Sequence, residues 1–421
     1  MIRDWTPIYN IFDPLLPLVG KQESLYVERE DSPLARLRLA LQPGRRSQKV
    51  LLVGQRGSGK SSLLAQLSHR LAEDYFLIWI DLNQSLDVYS LTIVDLLLGF
   101  AGGIYKVARS SGIRAGEGDF VELVGAINTL LGKNLAPEEF LDKLVCAKGD
   151  PSAPLDIVRR DPDSKENFSL KINENQFGQM KSGIFLREIL KRTNQISHSV
   201  QQELGTPLMV IVDGLDKIRP TEAQQIFEFS ELLGQLNFPF IATLPHSLYL
   251  TESEQVSEYF DLINFPNIRI SYRGKPNKKH QPGYQLMRTV CQRRLAVLGL
   301  QNPDDVIEPA ALDLLIKASG GILRGVIRAF RNAILYAEAR GSDKILLADA
   351  EKTFAEEKQA RMAFLQPGES MEFLKRFREN GSWKKEELSF FLELFQQGAI
   401  VGYANEGQIW YEVNPVLLPL E

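Results

Sequence analysis

Two cysteines, Cys146 and Cys291, are all that the 421 residues contain. They lie far apart without a C-x-x-C pattern, which excludes a disulfide framework and a zinc site built on paired cysteines. Both are expected to be buried thiols. The four histidines, His69, His198, His246 and His280, are scattered without metal-ligand spacing. No apolar run reaches the roughly 18 residues that read as a membrane span, and the longest candidate, Leu91 to Tyr105, is interrupted by Asp95 and glycines. The stretch M-I-R-D-W-T-P lacks a basic region followed by an apolar core, so a cytoplasmic location is expected. A strong excess of one charge is missing too. With a formal net charge of −4, any nucleic-acid contact needs a local patch.

What is present is the composition of an ordinary soluble protein, long enough for two or three domains. The chain is organised around Lys49 to Leu64. An apolar run, Val50 to Val53, reads as a buried parallel strand, and Ser62 to Leu71 reads as an amphipathic helix. Between them, Gly54-Gln55-Arg56-Gly57-Ser58-Gly59-Lys60-Ser61 fits G-x-x-x-x-G-K-[ST] at every fixed position, which makes it a P-loop. The glycines let successive N–H groups point inward at phosphate oxygens, and the helix N-terminus adds partial positive charge. Residues 54 to 62, ending at Ser62, are therefore the expected cradle for ATP. Lys60 is placed for the β- and γ-phosphates and the Ser61 hydroxyl for Mg²⁺.

Pro207 to Asp216, P-L-M-V-I-V-D-G-L-D, reads as an apolar strand ending in acid, the Walker B pattern. Asp213 is expected to hold Mg²⁺, and Asp216, three residues on, to orient or deprotonate the attacking water. Phe238 to Pro245 reads as a further strand. Other expected strands are Tyr75 to Leu82 and Leu262 to Ile270, with helices over Asp87 to Val107, Lys181 to Gln202 and Thr221 to Leu236. Residues 108 to 178 form an expected insertion with helices at Phe120 to Leu131 and Pro137 to Val145 and a long polar stretch. At the N-terminus, prolines around Trp5, Tyr9 and Phe12 predict an irregular arm packed on the domain or docked on a partner. Tyr272 to His280, Y-R-G-K-P-N-K-K-H, is the densest basic patch and reads as a loop.

These motifs resemble those of the AAA+ and STAND ATPases. D-G-L-D is similar to the NACHT type, whereas ring-forming AAA+ enzymes usually place glutamate directly after the Walker B aspartate. Lys217 stands where that group often has another acid, which implies slow hydrolysis. Many ATPases of the STAND and origin-recognition types carry a short segment that closes over adenine, and by that resemblance Tyr26 and Val27 are candidate adenine contacts. In the family order Thr243 matches sensor 1. Four helical segments, Tyr284 to Leu298, Pro309 to Ala318, Leu323 to Arg340 and Leu347 to Lys358, resemble the helical lid of origin-recognition ATPases. There Ser319-Gly320-Gly321 precedes a helix with Arg324 as the sensor 2 candidate and Arg328 one turn on. No arginine stands just before the last core strand, where rings place their finger; Arg269 and Arg273 lie within or after it. The end of the chain, helices at Met371 to Arg378 and Lys385 to Gln396 and strands around Gly398 to Tyr403 and Gln408 to Val413, describes a winged helix. It is acidic, with five Lys/Arg against nine Glu over 369 to 421, so a protein contact or an intramolecular clamp is expected there.

The expected fold is an α/β P-loop NTPase three-layer sandwich with a parallel sheet, followed by a helical lid and a winged-helix domain. The expected divisions are an arm at 1–48, a core at 49–275, a lid at 281–365 and the terminal domain at 366–421. The resemblance implies a nucleotide-governed switch with a protein partner and oligomers on activation. Two other readings stand beside it: a DNA-associated ATPase using the basic loop, and an ATP-binding scaffold with negligible turnover.

Overall fold

The computed structural model describes residues 4–16, 18, 24–45, 48–82, 91–131, 134, 136–144, 147–148, 183–366, 368–405 and 408–418. It divides into two compact units. One contains Pro33–Gly54 and Leu63–Asn264; the other combines Met1–Ser32, Gln55–Ser62 and Phe265–Glu421.

The first unit is built on one sheet. Its strands are β1 (Lys49–Val53), β2 (Phe76–Asp81), β3 (Ala147–Lys148), β4 (Leu208–Asp213), β5 (Phe240–Leu244) and β6 (Asp261–Asn264), in the spatial order β3-β2-β4-β5-β1-β6. Five of them run parallel, and β3 is a two-residue antiparallel edge. β1 and β5 are buried along their whole length, as a strand covered on both faces must be, which is why four of the five residues in each are apolar. The register places Val53 beside Leu244 and Asp81 beside Asp213, so the carboxyl ends of β1, β4 and β5 share one edge.

Helices pack against this sheet. Ile93–Ser110 begins in a capping box, with Thr92 and Asp95 each satisfying the other's end of the first turn. The helices Glu117–Leu131 and Pro137–Leu144 from the expected insertion join the same core, with Phe120 stacked on Tyr105 at 4.4 Å and edge-on to Phe140 at 6.2 Å. The polar stretch after Lys148 lies outside the described residues, as does Cys146. The single helix expected over Thr221 to Leu236 is two, Pro220–Phe227 and Ser230–Gly234.

The second unit corrects three expectations. Residues Thr6–Ile11 form a short helix, not an irregular arm; Pro7 sits in the first turn, where no backbone N–H is needed. Phe12 of this segment stacks on Phe330 at 3.9 Å and Trp5 Nε1 donates to Ser342 O at 3.0 Å. The strand expected over Leu262 to Ile270 stops at Asn264, because Pro266 ends it. Beyond it, Asn267 N donates to Gly402 O at 3.1 Å and Ile268 N to Gly321 O at 3.0 Å. Tyr272 to His280 is not a loop but a hairpin of β7 (Ser271–Tyr272) and β8 (Lys275–Lys279), turning through Gly274.

Four helices follow, Gln281–Ala296, Pro309–Ser319, Leu323–Ala339 and Leu347–Met362, around a shared core that includes Phe330 and the buried Cys291. Gly320 and Gly321 connect the second to the third with φ of 61° and 79°. A Cβ on Gly321 would lie 2.0 Å from Ile268 O, and Tyr403 Oη donates to Gly320 O at 2.8 Å. The chain ends in two helices, Glu369–Asn380 and Leu388–Gln396, and an antiparallel hairpin of β9 (Ile400–Asn405) and β10 (Gln408–Val413). Trp383, Phe391 and Tyr411 hold helix and hairpin together.

Candidate functional site

At the carboxyl edge of the first unit's sheet, β4 delivers Asp213. Gly214 follows with φ of 104°, a conformation that bends the chain at once into the short turn Leu215–Lys217. That turn carries Asp216. Thr243, fully buried near the end of β5, accepts a hydrogen bond from Gly214 N at 3.0 Å and donates to Asp216 Oδ1 at 3.3 Å. One hydroxyl thus fixes both the backbone after Asp213 and the orientation of the second carboxylate. A threonine suits this position because its methyl packs in the core while its hydroxyl does both jobs.

In the second unit, the P-loop adopts the curled form that its glycines predict, with φ of 88° at Gly57 and 102° at Gly59. Ser58 N donates to Gln55 O at 3.1 Å. Lys60 Nζ reaches the same carbonyl at 3.1 Å and is almost fully buried. Ser58 is also buried, and its Oγ has no hydrogen-bond partner among the described residues. Arg56 and Ser61 are exposed.

The loop is gripped from two sides within this unit. Arg324 N donates to Gly57 O at 3.0 Å, while Ile322 and Leu323 press on Gly57 and Gly59 so closely that a Cβ at either glycine would meet them at 3.0–3.1 Å. Gln55 reaches the C-terminal elements: its Nε2 donates to Phe395 O at 2.8 Å and Ile400 O at 2.9 Å, and its Oε1 accepts from Asn267 Nδ2. Gln55 is a free position of the motif, so nothing in the sequence marked its side chain. Asn267 and Phe265 belong to no motif, so nothing in the sequence marked them either. Phe265 lies under the Arg29 guanidinium at 4.5 Å, and Arg29 donates to Pro266 O at 2.8 Å.

Tyr26 and Val27 are half-buried, with Tyr26 O bonded to Arg293 Nη1. Of the two candidate lid arginines, Arg328 forms a bidentate pair with Glu357 at 2.8 and 2.9 Å. Burial pushes the Glu357 carboxyl up, but the bonds to Arg328 and Arg361 outweigh this and hold it below the usual range. Arg324 touches the P-loop through its backbone and Cβ.

Residues 27–241, just over half of the chain, match the AAA ATPase domain. The chain belongs to the AAA ATPase family. Solved structures similar to this AAA ATPase include Cdc6p from Pyrobaculum aerophilum, with 13% identity over 97% of this chain and 94% of that one and a TM-score of 0.42. The Aeropyrum pernix ORC1 protein, solved in complex with DNA, shows 14% identity over 98% and 94%, with a TM-score of 0.41. The Thermotoga maritima RuvB Holliday junction branch migration motor shows 11% over 93% and 92%, with a TM-score of 0.38. No curated protein is significantly similar in sequence. Among the described residues no helix is long and apolar enough to cross a membrane.

The residues of this AAA ATPase fit a nucleoside triphosphate with Mg²⁺. The inward-curled loop, the Lys60 ammonium and the unpartnered Ser58 hydroxyl are a donor set for phosphate oxygens. Among the described residues no group of three or more His, Cys, Asp or Glu could hold a metal ion. Mg²⁺ beside phosphate needs no such cage, because it takes one or two protein oxygens and completes its shell with phosphate and water.

Proposed function

We propose that the chain is an ATP-binding switch that hydrolyses ATP slowly and passes its nucleotide state to the C-terminal elements. The observation that carries this reading is Gln55. A single P-loop residue bonds Phe395 O and Ile400 O through its side chain, while its backbone carbonyl accepts from Lys60. A phosphate that draws the Lys60 ammonium to itself takes away that donor from Gln55. The loop and the grip on residues 395 and 400 are therefore linked by one residue.

The amides of residues 57–61 with Lys60 would hold the phosphates; Ser61 is the P-loop's cation ligand in this reading and Asp213 is that of β4. Tyr26 and Val27 are the adenine side. Bound with the nucleotide, Mg²⁺ would neutralise charge on the phosphates, and ATP would supply the phosphoanhydride. Asp216 takes the proton of the attacking water, and Thr243 keeps the Asp216 oxygen aimed. Arg324, at the start of the lid helix and bonded through its backbone N–H to Gly57 O of the P-loop, reports the γ-phosphate. Lys217 beside Asp216 supports slow turnover. The terminal helices and hairpin act as a winged helix whose acidic surface suits a protein partner, with oligomers forming on activation.

The test is ATP binding and steady-state phosphate release for the full chain, Lys60→Ala and Asp216→Asn. Binding is expected to vanish in the first variant, and turnover alone in the second. Wild-type release no faster than that of Asp213→Ala, despite tight binding, would replace the switch with a scaffold that does not turn over.

A further inference from the structure

The hairpin β7–β8 brings the basic stretch of the chain against a second hairpin, β9–β10, and leaves a cleft of about 330 Å³ between them. Its charge comes from Arg269, Arg273, Lys275 and Lys278, all contributed by the segment before the lid helices and none by the acidic terminal stretch. Gln408 and Trp410 line the opposite wall. The cleft is a built feature. Arg269 Nη1 donates to Asn405 Oδ1 at 2.7 Å, tying wall to wall. Glu412 turns inward, its two oxygens accepting from Gly274 N at 2.9 Å and Ser271 Oγ at 3.0 Å, and burial pushes this carboxyl above its usual range. The single acid among these contacts is therefore spent on holding the β7–β8 turn, while Arg273, Lys275 and Lys278 are exposed.

One aromatic stands among the cations. Tyr272 is 38% exposed, with Lys278 Nζ 5.0 Å and the Arg269 guanidinium 5.9 Å from its ring centre. A concave groove with several cations and an exposed ring matches what a single nucleic-acid strand requires: phosphates follow the charge while a base stacks on the ring. A duplex is served less well, because its grooves are entered by a protruding helix or ribbon and its phosphates lie on a convex surface. We propose that this cleft binds a single strand of nucleic acid, with Arg273, Lys275 and Lys278 on its phosphates and a base against Tyr272.

The experiment is fluorescence anisotropy of the full chain with a labelled oligothymidylate of about 20 nucleotides, set beside a duplex of equal length and poly-glutamate as competitor. With three phosphate contacts on a single strand, the salt slope is about −2, so affinity falls roughly 20-fold between about 50 and 200 mM salt. Replacing Arg273, Lys275 and Lys278 together by Ala should flatten the slope to near zero and weaken binding at least about tenfold at low salt. Tyr272→Ala should lose on the order of tenfold, and Tyr272→Phe should keep most of the affinity. The control neutralises three exposed cations elsewhere in the same unit, Lys352, Lys375 and Arg378. Equal loss in that control, tighter binding of the duplex, displacement by poly-glutamate at equal charge, or no effect of the cleft variants would each overturn the proposal. All measurements are made without ATP and repeated in Lys60→Ala, so a failure of the P-loop reading leaves this result intact.

Discussion

Replacing Gln55 by Ala separates a latch from a mere packing contact. The side chain makes three buried hydrogen bonds, two donated to Phe395 O and Ile400 O and one accepted from Asn267. A neutral hydrogen bond contributes about 0.5–1.5 kcal/mol net, and a buried group left without a partner costs about 1–3 kcal/mol. Truncation therefore weakens the gripped arrangement by roughly 2–4 kcal/mol. If that arrangement competes with phosphate binding, weakening it by about 2 kcal/mol raises the binding-competent fraction up to about 30-fold, a ceiling reached when the gripped form dominates. The assay is titration with a fluorescent ATP analogue, with stopped-flow mixing to place the gain in the association rate. Asn267→Ala should give a smaller change of the same sign. Thermal melting should show both variants less stable, so a rise in affinity runs against the loss in stability. Unchanged or weaker affinity in Gln55→Ala would refute the latch and leave Gln55 as a structural tie.

Thr243→Val should lower turnover more than tenfold with ATP binding retained, because Asp216 loses its orienting bond; unaltered turnover in single-turnover assays would count against that role. The same variant leaves Gly214 N without its acceptor, for a stability loss of about 1–3 kcal/mol read by urea unfolding. Gly321→Ala should destabilise the chain by several kcal/mol, since its Cβ would lie 2.0 Å from Ile268 O at φ of 79°; a soluble variant with unchanged melting would refute this. Burial raises the Asp95 carboxyl to about 6, against the bonds from Thr92 that lower it, and its Oδ1 has no partner among the described residues. A folded pKa above the unfolded value of 3.8 means that this contribution is fully present below about pH 3.8 and is lost as pH rises through about 6. Asp95→Asn keeps an acceptor for Thr92 and should remove that slope from the stability profile between about pH 4 and 6.

Much of this molecule was legible in the sequence. The P-loop could be read because phosphate binding by a short stretch depends on spacing alone, and its strand and helix follow from burial on two faces and from amphipathic period. Asp213 could be read for a similar reason, as an acid at the end of an apolar run. Thr243 was reached only through the resemblance, and the reason for it became visible with the bonds to Gly214 and Asp216. Gly320-Gly321 was noticed as a pattern; the need for it lies in Ile268, whose carbonyl leaves no room for a side chain.

Other features were decided only by tertiary structure. Arg29 meets Phe265 and Pro266, and Gln55 meets Phe395, Ile400 and Asn267, across separations of more than two hundred residues. No local signal encodes such a choice, because a glutamine in a free motif position satisfies every rule of spacing whichever carbonyl it later finds. The basic stretch was equally visible and misread as a loop, since a proline and a run of lysines give no alternation to mark a strand. Its pairing is set by Glu412, which comes from the far end of the chain to accept from Gly274 and Ser271. Sequence alone thus determined where the curled glycine loop and the acid that ends β4 lie, because those patterns are local. Folding decided which groups restrain them and which cations share a cleft, because those relations exist only once distant backbone is brought together.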